Sequence, residues 1–400
     1  MVYATPVEAG APRADTVKMI EPRPRNGRPH IVNVAVFAGG AILCIGAIAL
    51  TAVLLLATAR GHGQTQLIDL KIFRRAGHDV LSGLSPYPVP TVDAMRGKPV
   101  FVYPAPAAVI FVVLAVLPFS LTWLAWLAAM GGCMALALRM AGVTDRRVIA
   151  AWFLAPAMAQ TFVIGSFAPL LALCAALVWR YRDRARVTAP VLALAICLKL
   201  LLLPLVVWLA VTGRRGAALA SVAITAAACA AGWALVGLHS VTQYPHLLSS
   251  LSAIEQAEGF STAAAAMSLG LGSGAAQAAA AAVAALMCLA AWRRSREGDE
   301  RAAFCLCLVA GLVLSPIVWM HYLAIAAVAF ALYRPRLTGL WLMPLVFWAV
   351  PNMLPRGDLV WLLLWHAMLV VALWPALRRT APPVSLADRR RGRPVLTRAA

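Results

Sequence analysis

Three polar side chains stand in or beside apolar stretches of this chain, and their types suit one chemistry. Asp69 follows Leu67-Ile68, about ten residues past the first long apolar run. Lys199 divides Ala195-Ile196-Cys197-Leu198 from Leu200-Leu201-Leu202-Leu203-Pro204. His321 closes Ser315-Pro316-Ile317-Val318-Trp319-Met320-His321. A carboxylate at a low-dielectric boundary can acquire the raised pKa that a general base needs to take a proton from a hydroxyl. Its plainer readings are an exposed loop acid or the N-cap of a helix over 70–82. A lysine in an apolar run is costly without a task, and its compact charge suits phosphate. The plainer alternative is snorkelling to the interface. A histidine can hydrogen-bond or neutralise a departing phosphate, or be a core imidazole satisfied by nearby backbone.

The elements that must position these residues follow from composition. Of 400 residues 62% are hydrophobic and only 12% charged, with mean hydropathy +0.82. Repeated apolar runs of about 18 or more residues indicate transmembrane helices. Backbone amides in lipid must be paired within their own segment, and the runs do not alternate as β-barrel strands do. The expected fold class is therefore all-α, a polytopic integral membrane protein. The formal charge of +20 falls in short clusters between spans and at both tails. That pattern marks cytoplasmic anchors facing anionic lipid rather than nucleic-acid binding. The eight cysteines all lie in apolar runs, and Cys305-Leu306-Cys307 is no zinc spacing, so neither a metal nor a disulfide is expected.

Charge also assigns sides. Residues 1–30 are polar, with Arg23, Arg25 and Arg28, and read as a disordered cytoplasmic tail before a first span at about Ile31 to Thr58. Arg146/Arg147, Arg180 to Arg186, Arg214/Arg215, Arg293 to Arg301 and Arg334/Arg336 mark inner loops, and 377–400 is a second basic tail. Between them the runs pair as hairpins: 148–164 with 168–179, 188–198 with 200–212, 216–236 with 274–292, 302–314 with 318–333, and 338–350 with 359–376. Residues 104–141 read as one kinked or partly re-entrant passage, bent at Pro118. The membrane domain then covers 31–376 with about 12 spans and both termini cytoplasmic. The long outer loops are 60–103 and 237–273. Of fifteen acids, only Asp69, Asp79, Asp93, Glu255, Glu258 and Asp358 fall outside. Residues 261–290 read as an alanine-rich helix, and Gly270-Leu271-Gly272-Ser273-Gly274 as a helix-start linker, since no strand precedes it.

On this topology Asp69, Lys199 and His321 each lie at the outward end of a different span. A carboxylate, a lysine and a histidine at one membrane face suit transfer from a phosphate-bearing lipid to a hydroxyl, with cations stabilising the charge that develops on the phosphate. A transporter or lipid flippase is the rival from another class, but no internal repeat is visible and the polar residues gather at one face. A non-catalytic scaffold would leave the three residues without a shared purpose.

At this point the residues match a family. The chain resembles the polyprenol-phosphate-dependent glycosyltransferases of family 87, over about 60–325. The first-loop pattern appears as Asp69, Phe73, Gly83, Pro86 and Tyr87; the re-entry as Tyr103-Pro104-Ala105-Pro106; the buried lysine as Lys199, with Pro204 later; and the Ser-Pro-x-x-Trp-x-His pattern as Ser315-Pro316, Trp319 and His321. Three positions depart: the family's Gly-Gln turn reads Gly165-Ser166, its paired histidine reads His321-Tyr322, and an Asn-Gln-Ser stretch reads Phe260-Ser261-Thr262-Ala263. The resemblance implies a GT-C helical bundle in the cell membrane with an extracytoplasmic active site. It implies transfer of a hexose, mannose by family analogy, from a polyprenyl-phosphate sugar donor to a lipid or glycan acceptor, with inversion. It maps the catalytic base onto Asp69 and donor-phosphate binding onto Lys199 and His321. Tyr87, Tyr103 and Trp319 are candidates to wall the sugar or lipid head. Neither cofactor nor metal is expected, and membrane lipids are the remaining partner.

Overall fold

The computed structural model describes residues 66–378, which form helices and connecting turns with no strand among them. The expected tails and the first span, Ile31 to Thr58, lie outside the described residues.

Two short helices sit at the centre. Residues 302–313 of helix Glu300–Leu314 are all buried, and so are residues 323–332 of helix Leu323–Tyr333. A helix apolar and buried all round belongs to the core of a bundle. The connection between the two, residues 315–322, carries His321. Around this centre stand Phe119–Met140, Arg215–Val236, Ser273–Arg296 and Leu359–Leu377, whose most apolar windows are only 17–39% buried. Their outward faces show Leu219, Leu235, Leu286 and Val360, each more than 60% exposed. So much exposed apolar surface on long helices fits contact with lipid.

These four are the helices among the described residues that are long and apolar enough to cross a bilayer, and the bent pair Arg146–Phe153 and Pro156–Ile164, 58° apart, makes a fifth if taken as one span. The protein thus has the apolar helices of a membrane protein, and five of the expected passages, 168–179, 188–198, 200–212, 318–333 and 338–350, are realised as apolar helices of 10–17 residues. Prolines add breaks within passages: Pro156 and Pro204 each begin a new helix, because proline lacks the amide that a continuing helix uses. In the 104–141 block, Ala105–Ile110 and Val112–Ala115 precede one long helix, which starts after Pro118. Residues 339–349 form a 3-10 helix. The alanine-rich stretch is two helices, Thr262–Ser268 and Ser273–Arg296, separated at Gly270. The loop 237–273 is largely helical, with His239–Glu255 preceding them.

Hydrogen bonds divide the bundle into two ends. At one, Arg214 reaches Asp183 at 2.7 Å and Glu300 at 3.1 Å, and Arg182 reaches Glu300 at 3.3 Å. There also Asp145 accepts from Leu337 N–H at 3.2 Å and Arg294 donates to the Leu377 carbonyl at 2.7 Å. The arginine-rich connections therefore gather on one side. At the other end Tyr244 donates to the Val102 carbonyl at 3.2 Å, Ser250 to that of Pro90 at 3.0 Å and Ser268 to that of Gly357 at 2.9 Å. The candidate residues belong to this second end.

Candidate active site

Asp69 lies in the first turn of helix Ile68–Leu81, not at its cap, which is Leu67 with φ 54°. The Leu67 N–H donates to the Val163 carbonyl at 2.7 Å, tying the helix start to the end of Pro156–Ile164. Gly165 follows that end with φ 75°, and a Cβ there would stand 2.7 Å from the Leu70 Cβ. Only glycine combines that backbone with that approach. The helix buries Leu70, Phe73, Ala76 and Gly77. Phe73 stacks on Phe111 at 4.4 Å and meets the Tyr103 ring edge-on at 5.3 Å. Asp69, one turn before Phe73, is carried on this inner face, partly buried.

Lys199 stands in the break between Ala185–Leu198 and the 3-10 turn Leu200–Leu202, in extended conformation. Helix Glu300–Leu314 closes on that break: a Cβ on Gly311 would overlap the Leu201 carbonyl oxygen. Lys199 does not reach outward along the membrane. Its Nζ donates to the Tyr322 hydroxyl and lies 4.2 Å from the Tyr322 ring centroid and 5.6 Å from that of Tyr103. An ammonium over aromatic faces is held by the ring quadrupoles without being neutralised.

His321 is fully buried in the 3-10 turn Met320–Tyr322. Its backbone N–H and its Nδ1 both face Gln160 Oε1, each at 3.0 Å. The backbone N–H can only donate, so the facing Gln160 atom must be the carbonyl oxygen. Nδ1 must then carry a proton too. Nε2 is buried and has no partner among the described residues. Its ring lies 4.3 Å from that of Tyr322, centroid to centroid.

Burial of Asp69 is the largest influence on its carboxyl and pushes its pKa up to about 7, opposed by the Lys199 charge and reinforced by Glu255. The carboxyl thus lies within electrostatic reach of the ammonium. Glu255, at the end of helix His239–Glu255, is raised by burial, with Lys199 again opposing and Glu258 adding. Asp69 and Glu255 are thus both within electrostatic reach of Lys199, whose ammonium faces the Tyr322 and Tyr103 rings. Asp69, Lys199 and Tyr103 are all partly exposed.

The aromatic candidates divide. Tyr103 packs between Phe73 and Phe167. Tyr87 donates to the Tyr103 carbonyl at 2.8 Å, but its ring stacks on Trp233 at 5.2 Å and meets Tyr244 at 5.8 Å, so it props the segment carrying Tyr103. Trp319 is half-buried against the core, and its carbonyl accepts from Tyr322 N–H at 3.0 Å. Sequence reasoning missed Gln160, Glu255 and Tyr322 as members of the site. Glu255 was one of six outer acids, and Gln160 is a lone amide in an apolar run, which is itself a signal. Tyr322 showed only as the residue standing in place of the second of the paired histidines. No three His, Cys, Asp or Glu side chains are grouped for a metal among the described residues.

A family model, Glycosyltransferase family 87, matches residues 101–316, just over half of the chain. The match includes Tyr103, Gln160, Lys199 and Glu255; Asp69 precedes it and His321 and Tyr322 follow it. Neither a curated protein nor a solved structure matches the chain.

Proposed function

The chain belongs to glycosyltransferase family 87, and from that premise we propose that this membrane glycosyltransferase moves a hexose, mannose by family analogy, from a polyprenyl monophosphate to a hydroxyl of a lipid or glycan acceptor. Asp69 takes the acceptor proton. The freed oxygen attacks the anomeric carbon opposite the phosphate, the carbon–oxygen bond to phosphate breaks, and the configuration inverts. The phosphate leaves with the bonding electrons, and the Lys199 ammonium meets that charge. His321 completes the donor site through Nε2. With Nδ1–H committed to Gln160, the neutral ring presents Nε2 as an acceptor, suited to a protonated phosphate oxygen or a hydroxyl of the donor. Tyr103 and Trp319 wall the sugar or lipid head, and Tyr87 holds Tyr103 in place.

The observation that carries this reading is that Lys199 bonds Tyr322, the neighbour of His321, and faces the Tyr103 ring, against which Phe73, one turn from Asp69, is packed. A raised carboxyl suits a base that works near neutral pH. We also propose a GT-C bundle of about 12 passages spanning 31–376, counting short and broken ones, flanked by basic tails 1–30 and 377–400. The gathering of arginine-rich connections at the opposite end supports cytoplasmic termini and an extracytoplasmic site in the cell membrane. The test is incubation of purified protein with radiolabelled polyprenyl-phosphate sugars and membrane lipid extract. Labelled product from wild type and none from a folded Asp69→Asn variant is expected; full activity in that variant would remove the mechanism.

A further inference from the structure

The face of helix Ile68–Leu81 opposite Asp69 is basic. Lys71, Arg74, Arg75 and His78 recur at the spacing of one helical stripe and, with Phe119, line a cavity of about 250 Å³. Like charges at that spacing repel one another across a helix surface. Among the described residues none of them forms a salt bridge. Asp79, on the same helix, lies within electrostatic reach of Arg75 and His78. Arg74 is docked: its NH2 donates to the Leu117 carbonyl at 3.2 Å, its guanidinium lies 5.9 Å from the Phe119 ring centroid, and its Nε is buried without a partner. Lys71, Arg75 and His78 are exposed.

What adjoins the stripe is apolar and also exposed. Val116 and Leu117 lead into Phe119, and Leu121 and Leu124 continue along the long helix that starts there. Cations above the end of a lipid-facing helix, with exposed aliphatic side chains just below them, match a molecule that is anionic at its head and apolar in its tail. A free anion would use the cations and leave the aliphatic side chains uncovered. We infer that this cavity binds the phosphate of an anionic phospholipid, whose acyl chains lie along Leu117, Leu121 and Leu124. The lipid would hold the helix that carries Asp69 from behind, touching no reacting atom, so the site stands independently of the role proposed for Asp69.

The test uses the full chain in nanodiscs of phosphatidylcholine with a minor fraction of phosphatidylglycerol, released into detergent for native mass spectrometry. Wild type should keep phosphatidylglycerol in preference to phosphatidylcholine. K71Q/R75Q should lower that retention by about tenfold or more, whereas R96Q/K98Q, which removes two exposed charges elsewhere at the same end, should leave it unchanged. The charge-keeping K71R/R75K should retain the lipid. Retention undiminished in K71Q/R75Q, equal loss in R96Q/K98Q, or equal loss in K71R/R75K would each overturn the inference. So would complete displacement by inorganic phosphate at a concentration equal to that of the lipid, since the site would then read an isolated anion.

Discussion

Gln160 Oε1 accepts two hydrogen bonds from His321, one from the backbone N–H and one from Nδ1, each 3.0 Å long. One side chain thereby sets both the position of the turn and the tautomer of the imidazole. Gln160→Leu leaves two buried donors unpaired and should cost about 2–4 kcal/mol of stability. The same change should lower kcat/KM for the donor by about tenfold, as the ring loses its orientation. His321→Ala should lower it further, by about a hundredfold. Thermal unfolding in detergent and steady-state kinetics with varied donor measure the two effects separately. Unchanged kinetics in His321→Ala would exclude the imidazole from the donor site.

Tyr322 gives the Lys199 ammonium both an oxygen and a ring face. Tyr322→Phe removes the first and keeps the second. It should cost about 1 kcal/mol of stability and reduce kcat/KM by less than about tenfold. Tyr322→His, which places the family's second histidine here, keeps a ring and restores a nitrogen acceptor, and should recover part of the loss. Lys199→Gln should be far more damaging, about a hundredfold or more, because no charge then meets the leaving phosphate. Parallel donor-saturation curves for the three variants decide the order.

With its carboxyl raised to about 7, Asp69 is half ionised near neutrality. A general base acts when ionised, so log kcat should rise with unit slope as pH climbs toward 7 and level off above it. Glu255 contributes to that elevation, so Glu255→Gln should move the acid limb to lower pH. An acid limb near pH 4 in wild type, or an alkaline displacement in Glu255→Gln, contradicts the electrostatics described above.

The same shift acts on stability. Below about pH 4 the Asp69 carboxyl is protonated whether the chain is folded or not. Between about 4 and 7 the unfolded chain ionises it while the folded chain keeps the proton, so stability falls as pH rises and the loss is complete above 7. Asp69→Asn escapes this loss. It should match wild type at pH 4 and exceed it at pH 8 by on the order of 2 kcal/mol, roughly half the full linkage value because the side chain is partly exposed. Melting temperatures at the two pH values test this without any assay of transfer.

Gly311 carries no side chain into the site but touches the Leu201 carbonyl beside the Lys199 break. Gly311→Ala must push residues 199–202 away from the central helix, and backbone cannot yield as a flexible side chain can. A loss of about 3 kcal/mol or more is expected, with transfer falling to the level of Lys199→Gln. Normal melting and normal transfer in Gly311→Ala would mean that the approach of the two segments is looser than described.

The helical membrane character of the chain is legible in its composition, because lipid leaves the backbone few options once apolar runs recur. The chemically active side chains are legible for a related reason. Asp69, Lys199 and His321 stand out because a polar group in an apolar run is costly and therefore rare. Tyr322 and Gln160 were less visible, since a tyrosine beside a core histidine and one amide in a helix are unremarkable until their partners are known. Several helix lengths were legible, since the expected passages 168–179, 188–198 and 200–212 fall close to Ala168–Arg180, Ala185–Leu198 and Leu200–Val211. Hydropathy reports how apolar a stretch is, not whether a proline such as Pro156 divides it, so the run 148–164, read as one passage, folds as two helices 58° apart. The meeting of Asp69 with Lys199 and Glu255, and of His321 with Gln160, is a property of the tertiary structure alone. These residues are separated by scores of positions, and side chains so far apart in sequence are brought together only by packing around the two buried central helices.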